Sequence, residues 1–371
     1  MLCNKGAVAA SRLTRLATHV QPHYTLTTAT TTTTTMSSPP PPAAPWRSLF
    51  LSHLEGMDPP EFALSTLRRA SAAASIRDRR SSILAAPLYF PRVRTCICRG
   101  LWASLPVNPK NDAPLNPSGV WESDLLTFTT DARMEKMEEL VNLRTGGRRG
   151  TDPGSPTTAK VGEELWEEGL ARMKGKPSRE EAVKSTKEQR LSGSGGGGAV
   201  EAVFWAREPG VQWRVRGRAY VLAPDIESSP EGREVIALLK SRMRRLVPSS
   251  SSSIDAPHQT HEEDREWSFA REITAHFGNL SPTMRGTFRN PPPGRPISLP
   301  VEGEGLALGQ QVTDLEDPVA RANFRLVVIA PDELDQADLS DPEHCRRWIH
   351  TYVGAGHGRG RSDWETVEVW P

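Results

Sequence analysis

Two strand-like segments joined by a very short turn constrain the fold of this chain more than any other feature. The segments are "AVEAVFWA" and "VQWRVRGRAYVL", residues 199–206 and 211–222, and the four residues "REPG" separate them. Both segments are rich in Val and aromatic residues, which favour strands, and so short a connection joins antiparallel neighbours. The sequence therefore predicts at least one antiparallel hairpin, which excludes an all-parallel sheet.

Other segments extend this prediction to a mainly β fold. Three further stretches have strand-like composition: "RVRTCICRGLW", "SDLLTFTT" and, as the predicted final strand, "NFRLVVIAPDEL". Two stretches, "PWRSLFLSHLEG" and "REWSFAREITAHFGNL", have apolar residues at helical spacing. Strands outnumber helices and are joined by hairpin-like turns, so we expect an antiparallel sheet or barrel with helices packed outside it.

The low-complexity stretches predict a single folded domain with long additions. The 32 Pro, the 29 Gly and the Thr and Ser runs are concentrated between the apolar segments, as in linkers and tails that bury no core. We expect the following organisation: a disordered or targeting extension at 1–44, the domain at 45–353, and a C-terminal tail at 354–371. Within the domain, the composition predicts a charged, glycine-rich insertion at 146–198 and a polar linker at 228–262.

Charge and cysteine content argue against several classes of protein. The net charge is +1, from 46 basic and 45 acidic residues, whereas nucleic-acid-binding proteins usually carry a basic excess. The four cysteines are too few and too scattered for a disulfide scaffold or a four-ligand zinc site, and we predict no metal site. No apolar stretch approaches the roughly 18 residues that span a bilayer. We therefore expect a soluble protein that binds neither nucleic acid nor membrane.

The composition of the N-terminal segment is compatible with more than one cellular location. Lys5, Arg12 and Arg15 lie among Ala, Ser, Thr and Leu, and the first acidic residue is Glu55. This composition is typical of a mitochondrial presequence. A disordered extension, or an upstream start with Met36 as the start of a shorter form, explains it equally simply. We expect a cytoplasmic protein, with a mitochondrial location as the alternative.

The stretch "LLTFTTDARMEKMEEL", residues 125–140, combines a strand end with two cations. Asp131 is a good helix N-cap, and a helix starting there places Arg133 on the same apolar stripe as Met137 and Leu140. Lys136 follows on the neighbouring side, so the two cations predict a bound anion such as a phosphate. The alternative is that Arg133 extends outward to solvent and Lys136 pairs with a nearby glutamate, such as Glu139 or Glu135. Spacing alone leaves both interpretations open.

Four segments in order carry a resemblance to a known family. "PRVRTCICRG", "LLTFTTDARMEK", "FWA" and "VQWRVRGRAYVL" together resemble the FMN-binding split barrel of the pyridoxamine 5'-phosphate oxidase superfamily. The branch that reads "RTVVFRG", "LTFTTDSRSEK" and "QFRLxG" is the most similar. The resemblance implies a six-stranded antiparallel split barrel of the Greek-key type and continues more weakly through "SPTMRGTFRNPPPGRPI".

The resemblance also implies a set of FMN-binding residues. Lys136 matches the lysine that holds the FMN phosphate, and Arg133 matches a basic residue beside it, whereas Met134 stands where the family usually has serine. The other implied FMN contacts lie at the starts of two strands, Arg94 and Gln212, and at the ends of two strands, Arg99, Thr129 and Thr130. Arg347 of "CRRW" is the implied substrate-side arginine.

The resemblance implies a flavin-dependent oxidoreductase. In the family a hydride passes from a substrate C–H bond to the flavin, and molecular oxygen reoxidises the flavin. It further implies a homodimer with flavin between the subunits and a small-molecule substrate, possibly a B6 vitamer phosphate. The alternative is a non-catalytic split-barrel protein that binds flavin or a partner through the same scaffold.

Overall fold

The computed structural model describes residues 42–69, 89–141, 193–246, 267–301, 303–354 and 363–371. The chain divides into two units, Met1–Ser38 and Pro39–Pro371, and all the described residues lie in the second. None of the helices among them is long and apolar enough to cross a membrane. The presequence-like segment and most of the predicted insertion lie outside the described residues.

The described elements confirm the predicted mainly β class with flanking helices. In chain order they are α1 (Arg47–Glu55), β1 (Glu61–Arg69), β2 (Tyr89–Leu101), β3 (Trp121–Ser123), β4 (Leu126–Asp131), α2 (Lys136–Leu140), β5 (Gly195–Ala206), β6 (Val211–Leu222), α3 (Pro230–Ser241), β7 (Met243–Arg245), α4 (Phe269–Gly278), α5 (Pro282–Gly286), a 3₁₀ turn (Thr287–Arg289), α6 (Pro318–Asn323), β8 (Phe324–Asp338), β9 (Arg346–Tyr352) and β10 (Trp364–Val369). The predicted β5–β6 hairpin and the helices α1 and α4 are among them.

Six of these strands pair in a ring, as the split barrel requires. The sheet order is β10-β9-β8-β4-β2-β1-β5-β6, every pairing is antiparallel, and β6 pairs again with β8. One edge of β8 is divided, because residues 324–329 pair with β4 and residues 333–338 pair with β9. The β2–β4 seam is short and interrupted by a bulge, so the barrel is not evenly closed.

An aromatic cluster fills the barrel and fixes α1 against it. Phe50 of α1 is fully buried, and its ring lies 5.2 Å from Phe204 of β5 and 5.3 Å from Trp213 of β6 in edge-to-face contacts. Burying one such side chain stabilises a fold by about 1.5–3 kcal/mol. A second cluster lies between the sheet and the helices, where Phe277 of α4 packs against Phe324 of β8. The sheet therefore has apolar packing on both faces.

The predicted insertion and the predicted linker both include residues that belong to helices or strands. The glycine run 195–198, taken as the end of the insertion, is the start of β5. A Cβ on Gly198 would lie 2.5 Å from the carbonyl oxygen of Leu140, so this glycine permits close packing under α2. The predicted linker contains α3, which Ser229 caps, and β7, whose buried Arg244 pairs with Asp124.

The predicted final strand and C-terminal tail were also wrong in part. β8 is followed by β9 and β10, and β10 lies within the predicted tail. Trp364 of β10 is buried with its ring centroid 5.5 Å from that of Trp46, beside α1. Trp364 thus packs the end of the chain against the core, in addition to the pairing of β10 with β9. The sequence prediction also missed β1, in which Phe62, Leu64 and Thr66 are the buried residues of an alternating pattern.

Candidate functional site

The end of β4 and the start of α2 form one wall of a cavity of about 530 Å³. Thr129, Thr130 and Lys136, all predicted site residues, line this wall together. The opposite wall comes from α5, the 3₁₀ turn, the proline-rich segment 290–301 and Leu308. Three predicted residues that are close in sequence therefore face one cavity, and its volume is within the range of small-molecule sites.

The turn between β4 and α2 differs from the predicted helix start. Asp131 is the last residue of β4, and its Oδ1 accepts a hydrogen bond of 2.8 Å from the backbone N–H of Arg133. This local aspartate turn competes with helix formation, so α2 begins only at Lys136 and has five residues. The prediction that Asp131 caps the helix was wrong. The tight turn brings Lys136 back toward the end of β4.

Arg133 is bound internally. Its Nε and Nη2 donate to the two carboxylate oxygens of Asp131 at 2.9 and 2.6 Å. Its Nη1 also donates to the carbonyl oxygen of Asn290 at 2.8 Å. Arg133 thus neutralises Asp131 and connects β4 to the proline-rich wall. In this conformation the side chain neither extends outward to solvent nor offers an unpaired charge to an anion.

Lys136 has a different environment from Arg133. Its Nζ lies 3.1 Å from Thr130 Oγ1 and 3.2 Å from Met134 Sδ. Within the described residues, it forms no ion pair with a carboxylate. Burial lowers the pKa of this amine, Arg94 lowers it further, and nearby groups such as Cys96 oppose the shift. An unpaired, half-buried ammonium beside a hydroxyl is a suitable contact for a phosphate.

The two glutamates proposed as alternative partners of Lys136 are held by arginines. Glu135 pairs with Arg68 at 2.7 Å and with Arg92 at 3.3 Å. Glu139, almost fully buried, pairs with Arg94. The alternative in which Lys136 pairs with one of these glutamates is therefore not the arrangement of the structure.

Arg94, a predicted FMN contact, belongs to a buried network beside the cavity. Its guanidinium donates to Glu139 and to Thr66 Oγ1, and it does not line the cavity. The network connects β1, β2 and α2, so Arg94 positions the helix that carries Lys136. Its charge still acts on the cavity, because it is one of the groups that lower the pKa of Lys136.

Three other predicted site residues lie away from the cavity. Arg99 is largely buried next to α4, where its charge adds to burial in lowering the pKa of His276 to about 3. Gln212 is at the start of β6, opposite Trp205 and Ala337 in the sheet. None of these residues lines the cavity.

Arg347, the third of them, is on β9. Its Nε and Nη2 donate to the two carboxylate oxygens of Asp335 at 2.9 and 2.8 Å, and Arg214 binds the same carboxylate. Arg347 does not line the cavity.

Sequence reasoning missed most of the second cavity wall. Phe288, Asn290 and the prolines at 291–293 and 296 line it, together with aliphatic residues up to Leu308. The segment "SPTMRGTFRNPPPGRPI" carried the weaker part of the family resemblance, which was the available signal. Composition alone indicated only a loop, because proline-rich segments do not show which surface they cover.

A family model matches the part of the chain that forms the first wall. Residues 43–152 match the model described as the pyridoxamine 5'-phosphate oxidase FMN-binding domain. This match confirms the predicted family resemblance. It covers less than a third of the 371 residues and includes β1, β2, β4 and α2. No curated protein matches the chain.

Two solved structures are similar over most of the chain but at low identity. One is a pyridoxamine 5'-phosphate oxidase-related, FMN-binding protein from Nostoc punctiforme, with 15% identity, a TM-score of 0.43, and coverage of 89% of this chain and 100% of that one. The other is PhzG from Burkholderia lata in complex with tetrahydrophenazine-1-carboxylic acid, with 14% identity, a TM-score of 0.29, and coverage of 89% and 94%. The resemblance to the family therefore rests on the match of residues 43–152 to the family model.

Proposed function

We propose that the cavity binds FMN and that Lys136 holds its phosphate. The observation that carries this proposal is the convergence of Thr129, Thr130 and Lys136 on one cavity, inside the segment that matches an FMN-binding domain. The ammonium of Lys136 donates to the phosphate, and the hydroxyl of Thr130, 3.1 Å from that ammonium, orients it. The apolar opposite wall suits a flat aromatic ring system.

We further propose that the protein is an FMN-dependent oxidoreductase. Bound FMN would accept a hydride from a substrate C–H bond and return the electrons to molecular oxygen. The protein itself binds and orients FMN and excludes water from it. Lys136 in its protonated form compensates the phosphate charge, Arg133 fixes the spacing of the two walls, and the prolines of the second wall cover the ring.

The first test is flavin binding by the purified full-length protein. We expect yellow protein, or protein that acquires flavin absorbance when FMN is added. A hundredfold excess of FMN over its Kd should raise the free energy of unfolding by about 2.7 kcal/mol, which a thermal melt detects. Colourless protein whose melting temperature does not respond to FMN would contradict the proposal.

Turnover is tested separately on the flavin-loaded protein. Loss of the flavin absorbance under anaerobic conditions on adding a substrate, followed by its return with oxygen, supports an oxidoreductase. Tight flavin binding without reduction by any substrate tried is the result expected of the non-catalytic alternative.

A further inference from the structure

The cavity offers few positive charges for anionic ligands. Lys136 and Arg295 are the basic residues that line it in the described part of the chain, and Arg295 already has an interaction partner. Arg133, next to the cavity, is neutralised by Asp131. If Lys136 holds the phosphate of FMN, the only other cation that the described walls offer to a second phosphorylated ligand is Arg295, which already takes part in another interaction.

The remaining walls are mainly apolar, and many of their side chains are exposed. Ile297 is fully exposed, Leu308 is 75% exposed, and Leu299 and Val301 are about half exposed, although all four line the cavity. Met284, Phe288 and four prolines extend this surface, and Thr287 and Asn290 are uncharged polar residues of the same wall. Aliphatic side chains clustered around a cavity mouth favour a ligand that removes them from water, and they offer no hydrogen bonds to an anion.

The arginine implied as the substrate contact is also committed elsewhere. Arg347 forms a two-point ion pair with Asp335 and does not line the cavity. Releasing it for a phosphate would leave Asp335, which is buried, with Arg214 as its remaining ion-pair partner. The structure thus provides no second phosphate site beside the cavity within the described residues.

From these three observations we infer that the FMN-loaded cavity takes an uncharged, largely apolar second ligand and discriminates against a phosphorylated one. This inference rests on the proposed function and specifies its substrate class. It differs from the B6 vitamer phosphate that the family resemblance implies. The discrimination is electrostatic, because a phosphate placed against apolar walls loses hydration without gaining a compensating charge.

The test uses two probes that differ only in a phosphate, 2-naphthol and 2-naphthyl phosphate. Each is titrated into FMN-loaded full-length protein at neutral pH, and its Kd is read from the change in flavin absorbance or fluorescence. We expect 2-naphthol to bind at least about tenfold more tightly than 2-naphthyl phosphate. Flavin that stays with the protein after desalting shows that the probe occupies the cavity beside the cofactor.

A variant with a charge on the apolar wall tests the electrostatic cause of this preference. Leu299→Lys adds a cation at an exposed position of the wall, so it should lower the ratio of the 2-naphthyl phosphate Kd to the 2-naphthol Kd by at least about threefold. Leu339→Lys, at a similarly exposed leucine outside the cavity, should leave the preference unchanged.

Several outcomes decide against the inference. Equal or tighter binding of 2-naphthyl phosphate overturns it while leaving the FMN proposal intact. The same holds if neither probe binds, or if a probe releases the flavin. Protein that does not bind FMN at all overturns the proposed function, and this inference falls with it.

Discussion

Arg133 and Asp131, two residues apart, form a two-point ion pair, with Nε 2.9 Å from Oδ1 and Nη2 2.6 Å from Oδ2. Both side chains are mostly buried, and the pair stands between the end of β4 and the proline-rich wall. The positive charge of Arg133 is therefore used within the protein. Under the proposed function, Lys136 is therefore the residue that we expect to discriminate between phosphorylated and unphosphorylated flavins.

Replacing Arg133 should therefore affect stability more than phosphate recognition. Arg133→Ala leaves Asp131 without its counter-charge and the carbonyl oxygen of Asn290 without its donor, which should lower the free energy of unfolding by about 1.5–3 kcal/mol. Because Asp131 also lines the cavity, phosphate recognition is tested in the double variant Arg133→Ala/Asp131→Asn, which removes both charges of the pair. In this variant the ratio of riboflavin Kd to FMN Kd should stay within about twofold of that of the unmodified protein. Urea unfolding and flavin titrations measure the two quantities. A selective loss of FMN affinity in the double variant would show that Arg133 contacts the phosphate.

Gly198, the fourth residue of β5, should control the position of α2 and therefore that of Lys136. In Gly198→Ala the new methyl group meets the carbonyl oxygens of Leu140 and Glu139 at 2.5 and 2.6 Å, so α2 must move. We expect a loss of about 1–3 kcal/mol in unfolding free energy together with weaker FMN binding. Gly195→Ala is the matched control, because nothing lies within 4 Å of its added methyl group. Equal effects of the two substitutions would contradict the close packing of α2 on β5.

The preference for FMN over riboflavin should depend on pH in both the acidic and the alkaline range. The phosphate of FMN gains its full charge above about pH 6, so the preference over riboflavin should increase as the pH rises through that value. It should decrease again as the pH rises through the pKa of Lys136, which burial holds below its ordinary value. Lys136→Arg should abolish the alkaline decrease, because arginine stays charged. Identical pH profiles for FMN and riboflavin would contradict a phosphate contact, since ionisation of the ring is common to both.

His276 should contribute to acid sensitivity without involvement in the cavity. Burial, followed by the charge of Arg99, lowers the pKa of His276 to about 3, whereas an unfolded histidine titrates near about 6.5. Between these values the unfolded chain binds a proton that the folded protein does not, so stability falls as the pH falls through this window. In His276→Gln, the slope of unfolding free energy against pH should decrease by about one proton. An unchanged slope would show that His276 titrates normally in the fold.

The elements that could be predicted from sequence are those with strong local periodicity. The β5–β6 hairpin, α1 and α4 have apolar spacing and turn residues that determine them locally. β9 and β10 were missed because they are a short hairpin at the sheet edge, and β10 is mostly exposed and stabilised by Trp364. The glycine run at the start of β5 was misread because Gly198 packs closely against α2, a contact between segments far apart in sequence.

The candidate site was predictable only in part for the same reason. Thr129, Thr130 and Lys136 lie in one short segment that carries the family resemblance. The resemblance therefore predicted that they belong to the same site, and all three line the cavity. The pairing of Arg94 with Glu139 joins residues 45 positions apart, and that of Arg347 with Asp335 depends on the register of two strands. Sequence spacing does not reveal which cations are neutralised in this way. It could have revealed the Asp131–Arg133 turn, which is local.

The most direct test of the central claim is the ratio of FMN to riboflavin affinity in Lys136→Ala. Removing the ammonium beside Thr130 should weaken FMN binding by about 1.5–3 kcal/mol, roughly tenfold to 150-fold in Kd, the scale of a charge-assisted hydrogen bond. Riboflavin, which has no phosphate, should change by less than about twofold, and Lys240→Ala, an exposed lysine on α3, should alter neither affinity. Equal losses for FMN and riboflavin in Lys136→Ala would contradict the assignment of Lys136 to the phosphate.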